Sequence, residues 1–441
     1  GDFIVGLLVF VVAFSPFGFA IITYLYRKIS LPYRVCLSSV IGCSFSIALW
    51  SVIVTITHTI DFYFLISIVF LLTVILLYVI YRRDKSIIQK KEIKAILKIK
   101  NIIPLAMFFL FLYFLMLVCI NRVAPCDVDT QANGYFSFLF KYAESYPYVS
   151  PFLDATKLEI TYPPGANLLV AFLSMFSHIP IQISLLLVQI ITLSFSGLAL
   201  YCVLDIVLPG FKNKTYFLIV SIVFFYNSYL WGHLLNVGQV TGSVATMVTV
   251  SLLFFFMMSL KRKKILWYVL TGILLGGLML IHSKFFKWMA LAVFIFYVSQ
   301  LFTKQRKDWR KVLIPFIMLF VSILWMLPWF TNKVSMAAPF LWTYEWKFLD
   351  PQYGSFLLIL VAIGVLELLL RRNKFTIFLL MWIISTLVLG GYMSNQYGIS
   401  VVAPIIAAFG FLLVINLIDF LLLKTKIRGT KWRYLKILVV S

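Results

Sequence analysis

Two aspartates stand two residues apart in Cys126-Asp127-Val128-Asp129-Thr130-Gln131. Carboxylates at that spacing can share a divalent cation such as Mg or Mn, or one of them can serve as a general base. The spacing also suits a plainer part, with Asp129 capping a helix over Thr130–Tyr142 and Asp127 solvated. Downstream comes Tyr162-Pro163-Pro164-Gly165. The proline pair fixes an extended entry, and Pro164 fits the first turn of a following helix. The N-terminus of such a helix offers N–H groups and the positive end of its dipole to a phosphate. Two further polar segments join apolar runs, Trp231 to Gln239 with His233, and His282-Ser283-Lys284 with Lys287. Groups of this kind suit an anionic lipid headgroup, with Arg122 as another cation on the same face. Snorkelling of Lys287 at an interface and ordinary hydrogen bonding by His233 and His282 are the plainer readings.

The elements that must hold these residues are apolar. The 441 residues are 63% hydrophobic and 12% charged, with a mean hydropathy of +1.02. A soluble domain carries about a quarter charged residues. Runs of about twenty apolar residues recur along the whole chain, the pattern of transmembrane helices. A soluble enzyme, a secreted disulfide scaffold and a disordered chain are excluded, and so is a β-barrel, whose strands alternate. The expectation is an all-α polytopic membrane protein with about 13 transmembrane helices, from 3–26 to 399–423.

The formal charge of +23 gives these spans a direction. If the run 164–177 does not cross, 31 of the 38 Lys and Arg fall on one face and seven on the other. By the positive-inside rule the basic face is cytoplasmic, which places the N-terminus out and the C-terminus in. The run 164–177 is then a helix resting at the outer membrane surface. The charge describes topology, and no nucleic-acid partner is needed. Residues 1–101 form a three-helix N-terminal addition with a basic cytoplasmic loop, and residues 102–441 the transmembrane core. The core carries a long outer loop, 122–181, and a second one, 331–353.

Other chemistry is scarce. Asp205, Glu367 and Asp419 are the acids inside the spans, all near the basic face, where they suit pairing with Lys and Arg. The five cysteines show no C-x-x-C spacing. The sequence holds no G-x-S-x-G, H-E-x-x-H or Walker A pattern.

The stretch Ala124-Pro125-Cys126-Asp127-Val128-Asp129-Thr130-Gln131-Ala132-Asn133-Gly134-Tyr135, followed by Tyr162-Pro163-Pro164-Gly165, resembles the GT-C superfamily of integral-membrane glycosyltransferases, in uncharacterised bacterial and archaeal branches. The turn at Gly238-Gln239 and His282 are similar to outer-loop features of such proteins. The likeness covers about residues 122–300; elsewhere it is hydropathy and helix count. It implies a GT-C-like fold whose long outer loop bears juxtamembrane helices. It also implies transfer of a sugar from a polyprenyl-phosphate-linked donor to a glycan, lipid or protein acceptor at the extracytoplasmic face of a plasma membrane. Asp127 or Asp129 becomes catalytic base and metal contact, and Tyr162 to Gly165 opens the helix lining the cavity. The donor phosphate falls to Arg122, Tyr162, Pro164, Gly165, His233, Gln239, His282, Lys284 and Lys287. The acidic motif follows the fourth span here, a departure from the family's first. The alternatives are a lipid-linked glycan flippase or transporter, and a non-catalytic subunit of the same fold.

Overall fold

The computed structural model describes residues 2–88, 105–106, 108–113, 128–142, 146, 163–208, 214–227, 239–301, 310–331, 355–371, 373–388 and 392–424. Among them the regular elements are helices. In chain order they are α1 (Asp2–Tyr26), α2 (Leu31–Thr57), α3 (Phe62–Asp84), α4 (Val128–Tyr142), α5 (Gly165–Ser177), α6 (Ile181–Val207) and α7 (Lys214–Asn227). There follow α8 (Val240–Arg262), α9 (Ile265–Met279), α10 (Ser283–Leu301), α11 (Arg310–Thr331), α12 (Ser355–Arg371), α13 (Lys374–Val388) and α14 (Tyr392–Lys424).

Among the described residues, six helices are long and apolar enough to cross a membrane: α1, α2, α3, α6, α8 and the Val401–Phe420 part of α14. That is fewer than the thirteen spans expected from hydropathy. Apolar runs that read as full spans fold as shorter helices, such as α9 and α13 at 15 residues each. At 1.5 Å per residue these are about 22 Å long, short of the ~30 Å hydrocarbon core. The expected span 102–121 and the outer loop 331–353 lie largely outside the described residues.

Small residues set how closely the helices approach. A Cβ on Gly18 of α1 would run into the Ser38 carbonyl of α2, and one on Gly42 of α2 into the Phe14 carbonyl of α1. The same reciprocal contact joins Gly364 of α12 to Ile406 and Gly410 of α14 to Leu360. Lipid is as apolar as leucine, so this dispersion contact is what holds such helices together.

Basic residues from several helix ends gather at one end of the bundle. Arg27 pairs with Asp84 at 2.7 Å, and Lys214 with Asp205 at 2.6 Å. Lys261 Nζ donates to the Ile206 carbonyl at 2.8 Å, and the Arg262 guanidinium lies 3.9 Å from the centre of the Tyr26 ring. From this basic end α2 runs up through the middle of the molecule. Its Ser44 hydroxyl shares a hydrogen bond with Ser251 of α8 at 2.9 Å, and its Ala48 carbonyl accepts from Trp325 Nε1 of α11 at 3.2 Å. Gly277 of α9 also packs on Ala48. The N-terminal helices are thus built into the bundle.

The helix α5 corrects an expectation. It does not rest on the outside: Gly165 to Ser174 are buried, and its neighbours include α1, α2, α4, α6 and α8. At 13 residues it is about 20 Å long, too short to cross a bilayer.

Candidate functional site

The head of α5 sits deep inside the bundle. The Gly165 N–H donates to the Leu280 carbonyl at 2.9 Å. A Cβ at Gly165 would stand 2.7 Å from Ile281 Cγ1 and 3.0 Å from both Ile47 Cγ2 and the Leu280 oxygen. Only glycine fits between α2 and the turn that follows α9. Ile47 is about 24 Å along α2 from Leu31 and about 15 Å from Thr57. Leu280, just past the end of α9, is about 22 Å from the basic end by the same rise. Both counts place the junction well below the far end of the bundle. From there α5 climbs to His178, whose left-handed conformation (φ 55°) turns the chain into α6.

The Leu280 turn leads directly into α10. His282 N–H donates to the Leu278 carbonyl at 2.8 Å, and its ring packs edge-on to Phe285 with centres 5.1 Å apart. Lys284 and Lys287 lie in the opening turns of α10, which has no acidic residue in its first turn. The first turn of α5 has none either. Two helix N-termini, each the positive end of a dipole, therefore open within a few residues of one contact, beside two lysines.

The helix carrying Asp129 lies alongside. Ser137 Oγ of α4 donates to Asn167 Oδ1 of α5 at 3.3 Å, and Lys141 Nζ donates to Ser174 Oγ at 3.0 Å. The two bonds advance in the same sense along both helices, so α4 and α5 run roughly parallel, heads at the same end. Val128 already belongs to α4, which puts Asp129 within the first turn rather than at a cap before Thr130.

The structure sets Gly165, with Pro164 before it, against Leu280 and Ile281, in the turn that leads to His282; Lys284 and Lys287 follow in the first turns of α10. Gly165 takes a packing part, its N–H already given to Leu280. Gln239 stands at the head of α8, where its carbonyl accepts from Ser243 N at 3.2 Å, and α8 packs on α5. Arg122, Asp127, Tyr162 and His233 lie outside the described residues, and Asp129 is described in its backbone alone. Among the described residues no group of three or more His, Cys, Asp or Glu gathers to hold a metal ion. Sequence reasoning passed over Asn167 and Ser137, both buried, which tie the two helices. A signal was present: an asparagine in an otherwise apolar helix needs a partner.

No protein-family model matches the chain, and no curated protein matches it significantly.

Proposed function

We propose that the protein is a GT-C-type membrane glycosyltransferase. In this reading it moves a sugar from a polyprenyl-phosphate donor to a glycan, lipid or protein acceptor at the extracytoplasmic face. The observation that carries the reading is the bond from Gly165 to Leu280, which sets the head of α5 against the turn leading to Lys284 and Lys287, cations suited to the phosphate of a lipid-linked sugar. His282, two residues past Leu280, is a hydrogen-bonding group near that turn.

Asp127 or Asp129 takes the proton of the acceptor hydroxyl. The acceptor oxygen bonds to the anomeric carbon as the bond from that carbon to the phosphate oxygen breaks, and the configuration inverts. A divalent cation held by these aspartates would add Lewis-acid stabilisation of the phosphate. The parallel packing of α4 on α5 supports this division of labour, because the two helix heads point the same way within the bundle. The gathering of basic residues at one end of the bundle supports a cytoplasmic assignment for that end, with the N-terminus out and the C-terminus in.

The test is transfer by the reconstituted full chain with a polyprenyl-phosphate sugar. Asp127→Asn and Asp129→Asn each lower turnover by about 10²-fold or more with expression and thermal midpoint unchanged. Wild-type turnover in both variants overturns the assignment.

One observation favours a second reading, a lipid-linked glycan transporter. A half-length helix whose N-terminus ends inside the bundle is a device that transporters use for anionic groups. Movement of a labelled lipid-linked glycan between leaflets, without sugar transfer, would select it.

A further inference from the structure

We propose that a single acyl chain of an outer-leaflet phospholipid is seated between α1 and α3, on a floor made by α5. The inference rests on the membrane-spanning reading and not on the transferase, and the two fail separately. The helices α1 and α3 are tied at the basic end by Arg27 and Asp84. In their other half they enclose a cavity of about 450 Å³ between the Leu8–Pro16 stretch of α1 and the Ile66–Thr73 stretch of α3. Phe172 and Phe176 of α5 close its bottom. The lining is apolar throughout except for Thr73, whose hydroxyl is spent on the Val69 carbonyl at 2.7 Å.

The rim decides the occupant. Leu8, Val12 and Phe70 are 57%, 71% and 69% exposed, so the cavity opens sideways into whatever surrounds the bundle. For a membrane-spanning chain that surrounding is hydrocarbon. The walls run about 12 Å along α1, two turns. A partner helix, ~10–12 Å across with its side chains, needs a furrow along the full length of both helices. The ion-paired basic end denies it one. An extended peptide would leave backbone N–H and C=O groups unsatisfied in lipid. A hydrocarbon chain has no polar groups to satisfy and enters end-on or sideways. Leu8 and Ile66 lie near the starts of their helices, away from the basic end, which makes the leaflet the outer one under the orientation proposed above. A seated chain contacts Phe172 and Phe176 and so braces α5 from the side opposite α4.

The full chain is reconstituted in phosphatidylcholine vesicles containing a few per cent of a phosphatidylcholine with a diazirine at mid acyl chain. It is illuminated, digested and mapped by mass spectrometry. Adducts on Ala13, Thr73 and Phe176 are expected at severalfold the level on Phe64 and Leu71, which face outward. Ala13→Trp fills the cavity and removes the first set at least fivefold, leaving the second unchanged. Val69→Phe, a smaller intrusion, gives the same pattern if Ala13→Trp does not fold. Equal labelling of both sets overturns the proposal, as does labelling that neither variant reduces. Cross-linked dimers of the chain through α1 and α3 also overturn it, since the cavity is then an interface between copies.

Discussion

Gly165 and Leu280 are 115 positions apart, yet the Gly165 amide donates to the Leu280 carbonyl at 2.9 Å. This bond joins the proline-led start of α5 to the turn that carries His282 and Lys284. It makes one place of two segments that hydropathy treats as separate loops. The α5 head becomes a fixed point, held between Ile47 of α2 and the Leu280–Ile281 turn.

Substitution at that point should be costly. Gly165→Ala places a methyl 2.7 Å from Ile281 and 3.0 Å from Ile47 and from a backbone oxygen that cannot retreat. Overpacking of this kind costs about 1–3 kcal/mol, read as a lower thermal midpoint in detergent. Under the transferase reading, sugar transfer falls with it, because α5 is displaced from the Leu280 turn. An unchanged midpoint would show that the two segments are not held together.

The bond between Ser137 and Asn167 couples α4 to α5 inside the bundle. The Ser137 hydroxyl is shared with the Asn133 carbonyl at 2.7 Å, so Ser137→Ala removes a long, shared bond from Asn167, a loss of about 0.5–1.5 kcal/mol. Under the transferase reading, activity should fall more than stability predicts, because α4 carries Asp129. Exchanging both residues for apolar ones of similar size should restore stability more than activity. Full activity in the double variant would disconnect α4 from the chemistry.

Orientation is open to a direct labelling test. Ser174 is fully buried and is no reporter. Exposed turns serve instead: a cysteine at His178 should react with an impermeant maleimide from outside the cell, and one at Lys263 from the cytoplasm alone. The reverse pattern would invert the positive-inside assignment and move the proposed site to the cytoplasmic face.

Much of the local structure is legible in the residues. Pro164-Gly165 marks the start of α5, and the polar stretch after the acidic motif becomes α4 within two residues of the expected start. The clustering of Lys and Arg anticipates a bundle with one basic end. These features survive because caps, turns and charge act over a few residues. The count of spans is not read so directly: six helices among the described residues have the length and apolarity to cross, because an apolar run states composition and not how far its helix continues.

That the chain is helical and apolar, where its helices start and which helix ends are basic can all be read from residue order. The depth of α5 and its meeting with the Leu280 turn come from packing alone. The physical reason is that lipid and protein interior are equally apolar to a hydrophobic side chain. Leu168, Leu169 and Phe172 would read the same on the membrane surface as at the centre of the bundle, where packing around Gly165 puts them.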